Sequence, residues 1–337
     1  DVRAALDWAA ANAPCEGADL LTVTRLFQEL ELHREGIERA KQFAAAIESD
    51  DAKRLAQLWT FIASCESGLF ANKRAFAAAA RAVRFARASG NGTILADALL
   101  RYGRSAGFVH RLAEAEAALR EAEKVVSLTP RQHLDDLMYR GVVTGFSGGL
   151  VASAEASDLV RSLHRSLGNE RGELTATVNL AENEHARGQT ERAISLAREA
   201  LSIAVRLKDI NGIPHINQNL TGYLMAVNDR AGARAAASNV LHFYATSDPS
   251  NPHVPVTLEH LALACGLDGD FMRAARLEGY VENGLRTVGY EREYTEMVTQ
   301  ERLIALLREH FSASELDALF AAGAALTPDE AIAEALV

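Results

Sequence analysis

Asn179-Leu180-Ala181-Glu182-Asn183-Glu184-His185-Ala186-Arg187-Gly188 is followed by Glu191-Arg192-Ala193, then by Ala197 and Ala200-Leu201. Apolar and small residues return at helical spacing on both sides of Gly188. The stretch reads as a helix, a short turn at the glycine and a second helix. Ala181 and Ala193 are small residues where the two helices would cross. Stepping along the chain in the same register, small residues fall at Gly36, Ala75, Ala115, Ala154, Ala193, Ala233 and Ala274, in steps of 39, 40, 39, 39, 40 and 41 residues. So steady an internal period is the mark of stacked supersecondary units.

Other positions keep the register. Thirteen residues before these alanines stand Ile62, Tyr102, Gly141, Leu180, Leu220 and Leu261, each followed by a small or β-branched residue (Ala63, Gly103, Val142, Ala181, Thr221, Ala262). The fourth repeat, with Gly141, Gly145, Gly148 and Gly149, departs most, and its glycines suggest a kinked turn or hinge. One hairpin cannot bury both of its apolar stripes, whereas stacked hairpins bury a continuous core and small residues let the helix axes approach. A period near 40 residues accommodates two helices of about 15 residues, each ~22 Å long. Ser312 with Glu315, and Thr327 with Pro328 and Glu330, read as capping boxes that open two short C-terminal helices.

Composition agrees. Of 337 residues, 48% are hydrophobic and 24% charged, the balance of a globular chain, and only 6% are aromatic while alanine abounds, which favours helix. The net charge of −10 argues against nucleic-acid binding by phosphate neutralisation and against a polybasic membrane patch. Three widely spaced cysteines (Cys15, Cys65, Cys265) without a CxxC pair indicate neither a disulfide framework nor a zinc ribbon and suit a reducing, cytoplasmic setting. No apolar run reaches the ~18 residues of a membrane span. A chain opening at Asp1 without methionine is expected to be part of something longer.

The pattern resembles the tetratricopeptide-repeat (TPR) family, on Leu180-Ala181, Gly188, Ala193 and Ala200-Leu201, and likewise on Tyr102-Gly103, Ala115 and Ala122 up to Pro130. The usual period of that family is shorter, so the helices here are longer. The resemblance implies an all-α fold, a right-handed α-α superhelix of about seven TPR-like hairpins with a C-terminal helical cap. The expected division is a connector at 1–17, a repeat array at 18–290 and capping helices at 291–337. A narrower resemblance comes from the two ends. Asp1-Val2-Arg3-Ala4-Ala5-Leu6-Asp7-Trp8-Ala9 and Phe311-Ser312-Ala313-Ser314-Glu315-Leu316-Asp317-Ala318-Leu319-Phe320 are similar to segments bounding the helical sensor region of bacterial signal-transduction ATPases with numerous domains (STAND type). This resemblance implies a sensor region of a transcriptional regulator, whose ATPase and DNA-binding modules lie upstream on the same polypeptide.

No catalytic constellation is legible. There is no GxxxxGK[ST] loop and no HExxH, and Gly145-Phe146-Ser147-Gly148-Gly149 lacks the GxSxG form of a nucleophile elbow. His253 and His260 are separated by Pro255 and lack surrounding carboxylates, so no metal and no cofactor are expected. Trp8 and Trp59 read as core anchors.

The sharper signal is a polar ladder. One position before the repeated leucine stand Phe61, Arg101, Arg140, Asn179, Asn219 and His260, all in register on the first helix of each hairpin. In the TPR family that helix lines the concave surface, and Asn and Arg at this position hold a peptide. Arginine takes a carboxylate bidentately, and asparagine both donates to and accepts from a peptide unit. The candidate binding residues are therefore Arg101, Arg104, Arg140, Asn179, Glu182, Asn183, His185, His215, Gln218 and Asn219. Against this, Asp97–Arg101 and Asp136–Arg140 are i,i+4 pairs of the kind that decorate solvated helix faces. The expected function is non-catalytic binding of a peptide, protein or small-molecule effector in the groove, the alternative being a scaffold that docks partners on its convex face or ends.

Overall fold

The computed structural model describes residues 1–24, 26–30, 32–47, 51–69, 71–249, 251–288 and 290–336. Among them the chain is all-helical, without a strand. It divides into two compact units, Asp1–Ala156 and Ser157–Val337.

The N-terminal unit begins with α1 (Val2–Asn12), α2 (Pro14–Thr24), the short α3 (Leu26–Glu29) and α4 (His33–Ala46). Two regular hairpins follow, α5 (Ala52–Gly68) with α6 (Asn72–Ser89) and α7 (Gly92–Phe108) with α8 (Leu112–Val125), then α9 (Pro130–Phe146). Helix α10 (Leu150–Ser166) straddles the division. The C-terminal unit continues with the hairpins α11 (Glu170–Ala186) and α12 (Thr190–Leu207), α13 (Gly212–Ala226) and α14 (Arg230–Ser247), and α15 (His253–Leu267) and α16 (Phe271–Val288). Then come α17 (Tyr294–Arg308), α18 (Ala313–Ala324) and α19 (Pro328–Leu336).

The repeat register is realised in space. Ala75, Ala115, Ala154, Ala193, Ala233 and Ala274 occupy the same place near the start of the second helix of successive hairpins, and all are buried, as is Gly36 in α4. Helix starts follow from local chemistry. Asn91, Asn169 and Asp229 each accept a hydrogen bond from the backbone N–H three residues on, which satisfies an otherwise orphaned donor. Thr129 and Gln132 form a full capping box before α9, with Pro130 at its first position. The glycines of the fourth repeat fall at the end of α9 and in the α9–α10 turn, where Gly148 has a φ of 86°.

Polar clasps tie the hairpins. Glu66 at the end of α5 is buried and accepts from Arg74 at 2.8 Å. In the same register Glu184 at the end of α11 is buried against Arg187 and Arg192, at 3.2 and 3.3 Å. Between hairpins, the Arg87 guanidinium spans both oxygens of Glu121 at 3.0 and 2.9 Å. Arg161 does the same with Glu199 at 2.8 and 2.9 Å.

At the N-terminal end Leu6 and Ala9 of α1 share one core with Ala18, Leu21, Phe27 and Phe43. Trp8 is no core anchor but 63% exposed, since it lies two residues, roughly 200° of helix rotation, from the inward-facing Leu6. Trp59 is half-buried beneath the Arg81 guanidinium, 3.6 Å from its ring centroid.

Overpacking a crossing point must push two helices apart. Ala193→Leu is therefore expected to cost ~1–3 kcal/mol in urea denaturation, whereas Trp8→Ala should stay within ~0.5 kcal/mol of the parent.

Candidate functional site

In the N-terminal unit, first helices of successive repeats converge on a cavity of about 340 Å³. Its wall takes Gln57, Thr60, Phe61 and Ser64 from α5, spaced to share one helix face. Asp97 and Arg101 come from α7, and Arg131, Asp135 and Tyr139 from α9, each set at four-residue steps. Thr22 and Gln28 complete it from α2 and α3. Two of the wall residues, Phe61 and Arg101, are rungs of the ladder.

The cavity is charged yet sheltered. Burial pushes the Asp97 carboxyl above its ordinary range, although Gln132 donates to it at 2.8 Å. Burial opposes the charge of Arg101, but Tyr139, Asp135 and Asp97 around it outweigh that and hold it protonated. Its guanidinium lies 5.5 Å from the Tyr139 ring centroid. The Gln28 Oε1 atom is buried and has no hydrogen-bond donor among the described residues. Two guanidiniums, two carboxyls and several amides and hydroxyls thus face one volume, which falls in the range of small-ligand and peptide sites.

Two other predicted arginines do not join this site. Arg140 turns to Asp136 at 2.7 Å, to Glu123 at 3.0 Å and to the Leu119 carbonyl at 2.9 Å. It braces α9 against α8, because its i,i+4 partner Asp136 is buried and draws the guanidinium to that side. Arg104 lies over the Phe108 ring, 4.7 Å from its centroid.

The remaining candidates lie in the C-terminal unit, where four of them enter a buried polar network. Glu182 of α11 accepts from the Tyr223 hydroxyl of α13 at 2.6 Å and from the Thr295 hydroxyl of α17 at 2.7 Å. His185 packs 4.8 Å from the Tyr223 ring and contacts Thr190 at 3.2 Å. Gln218 joins His253 of α15 and donates to Glu296 of α17 at 3.5 Å. His215 lies 5.2 Å from the His253 ring. The ladder residue His260 pairs with Thr299 of α17 at 2.9 Å. Asn183 faces elsewhere, donating to Ser157 of α10 at 3.0 Å. Asn179 and Asn219 are half-buried on the ladder, with no side-chain hydrogen bond among the described residues.

So α17, which lies within the stretch 291–337 expected to hold capping helices, sits on the ladder side of α11, α13 and α15. Gly222 makes this possible: a Cβ there would stand 2.5 Å from the Thr295 methyl. Burial disfavours charge on its histidines and on Glu296. It lowers the pKa of His185, His215 and His253, brings His260 down to about 3, and raises Glu296 far above the carboxylate range. Sequence reasoning missed Thr295, Glu296, Thr299, Tyr223 and His253 as partners. The four-residue step of Thr295, Thr299, Leu303 and Leu307, all buried, was the available signal.

Beside it lies an acidic knot. Arg292 reaches Glu259 at 2.6 Å, Glu282 at 2.7 Å and Glu278 at 3.7 Å, three carboxyls for one guanidinium. Glu259 and Glu278 are fully buried, and burial pushes them up to about 7 and about 8. No His, Cys, Asp and Glu grouping suited to a metal ion is found among the described residues.

No profile of a known protein family matches the chain, and no curated protein does. Among solved structures it is similar to BtubC (BKLC) from P. vanneervenii, at 20% identity over 66% of this chain and 94% of that one, with a TM-score of 0.50. It is also similar to aspartyl phosphate phosphatase F from Bacillus subtilis, at 11% identity over 96% of this chain and 91% of that one, with a TM-score of 0.54. A kinesin-light-chain-like protein of Podosopora anserina with nearly identical TPR-like repeats matches at 17% identity over 58% of this chain and 98% of that one, with a TM-score of 0.39. The chain is an all-α protein of stacked helix hairpins, similar in fold to the first two of these structures. No helix among the described residues is long and apolar enough to cross a membrane.

The acidic knot sets a pH dependence. Stability gained from its neutral carboxyls is complete below the ordinary 4.5 of glutamate and is lost as pH rises through about 7 and about 8. Between pH 5 and 8.5 the melting temperature of Glu278→Gln is expected to fall less than that of the parent, read by circular dichroism.

Proposed function

We propose that this protein is a non-catalytic binding module whose N-terminal unit takes a short, extended segment of a partner protein in the cavity lined by α5, α7 and α9. One observation carries this reading. Asp97, Arg101, Arg131 and Asp135 surround a single volume together with the unpartnered Gln28 Oε1. An extended polypeptide offers what such a wall lacks, namely N–H donors for Gln28 and the carboxyls, and carbonyl or side-chain carboxylate acceptors for the arginines. Small residues at the hairpin crossings keep the first helices close enough for side chains of three repeats to meet one ligand.

The regulatory setting belongs to the same reading. The resemblance of the chain ends to STAND-type ATPases supports a sensor region whose ligand biases an upstream ATPase and its DNA-binding module. A phosphate-binding loop and a winged helix encoded upstream of Asp1 would support it. Three free cysteines, two of them buried, suit a cytoplasmic protein.

The test is selection of peptides from a displayed random library on the full chain. Selected peptides are expected to carry acidic side chains and to lose at least tenfold in affinity on Arg101→Gln/Arg131→Gln, measured by calorimetry. Equal affinity for parent and double variant would remove the cavity from the site.

A further inference from the structure

Helix α17 has its amphipathicity reversed in its first half. Thr295, Glu296 and Thr299 are buried, while Tyr294, Met297 and Val298 are each at least 40% exposed. A helix that folds onto a core for its own stability buries the opposite set. What accounts for the reversal is the surface beneath. The inner face of α17 meets Glu182, Gln218 and the Nδ1 atom of His260, three polar groups on three successive first helices, and gives each a hydroxyl or carboxyl partner. Farther along, Leu303 and Leu307 continue the same stripe as apolar, fully buried residues. Here the ladder recognises a helix by a defined face: hydroxyls one turn apart, a carboxyl beside the first, then two leucines at the same step.

The helices flanking α17 also make contacts of their own. Its neighbours in sequence, α16 and α18, lock directly together. A Cβ on Gly323 would stand 1.8 Å from the Arg276 carbonyl oxygen, and one on Gly279 would stand 2.2 Å from that of Phe320, so the two backbones touch at two points. Asn283 also donates to the Ala324 carbonyl, and Arg276 pairs with Glu334 of α19 at 2.9 Å. Helix α17 is therefore an excursion between two elements that hold each other. It is also tied by Gln300 to Glu282 at 2.6 Å and to Glu278 at 3.4 Å, by Arg302 to the Met225 carbonyl at 3.4 Å, and by the Tyr294 ring, 5.9 Å from that of His185.

We propose that the ladder face of the C-terminal unit is a helix-binding groove, that α17 is its resident ligand in cis, and that a helix of a partner protein presenting the same Thr-Glu/Thr/Leu/Leu face binds there by displacing it. The proposal does not depend on the cavity of the N-terminal unit. A resident ligand lowers the apparent affinity of a competitor by the fraction of time it occupies the site. Weakening the resident must then strengthen binding in trans, the reverse of what loss of a direct contact would do.

The experiment uses the full chain and a fluorescein-labelled peptide of its own residues 291–310. Anisotropy titration is expected to show saturable binding to the parent, and at least tenfold tighter binding to a chain carrying Thr295→Ala/Thr299→Ala. The same double substitution placed in the peptide should weaken binding. Hydrogen exchange of the unaltered protein gives an answer that no variant's folding can obscure: α17 amides should exchange at least tenfold faster than those of α18. No gain in binding to the folded variant, or exchange of α17 in step with α16 and α18, overturns the proposal.

Discussion

The contact on which everything else rests is the approach of two helices at a buried small side chain. At Ala75, Ala115, Ala193, Ala233 and Ala274 the second helix of each hairpin presents a methyl group that is almost wholly removed from solvent. A larger side chain would hold the axes apart. The first helices would then spread, and residues of three repeats would no longer address one ligand. Alanine at a fixed stride is thus both a packing rule and the condition that makes a shared surface. The clasps Glu66–Arg74 and Glu184–Arg192 reinforce the same crossing from its polar side.

Much of this was legible in sequence, because a repeat announces itself locally. The crossing alanines, the turn at Gly188 and the capping boxes at Ser312 and Thr327 all depend on residues within a few positions of one another. Arg101 was legible for the same reason, since its register puts it on the first helix whatever its neighbours are. Arg140 shares that register but not that role. Its buried partner Asp136 and the edge of α8 capture it, a competition that only the packed structure reveals. Helix α17 was least legible. Thr295 lies 113 residues from Glu182, and nothing in either segment names the other. A short polar helix near a chain end reads as a cap unless its four-residue stripe of buried threonines and leucines is given weight.

The same ladder serves two electrostatic regimes. In the N-terminal unit its charges survive burial because opposite signs alternate around one volume, Arg101 among Asp97, Asp135 and the Tyr139 ring. In the C-terminal unit desolvation drives the ladder residue His260, and Glu296 of α17 beside it, to their uncharged forms, and hydroxyls and amides join them to their neighbours. A charged wall favours a polar guest that brings its own counter-charges. A wall of uncharged histidines bridged by hydroxyls favours a folded guest that can match it group by group.

The guanidinium forks Arg87–Glu121 and Arg161–Glu199 bear on how such an array can change over generations. Both glutamates stand six places after a crossing alanine, but the arginines that meet them come from different places in the preceding second helix. Each seam therefore has its own key. A duplicated or transplanted hairpin would carry a glutamate in the right seat and find no arginine opposite. Lengthening the protein by copying a unit would thus demand a compensating arginine next door, a brake on recombination that the uniform alanine spacing alone would not impose.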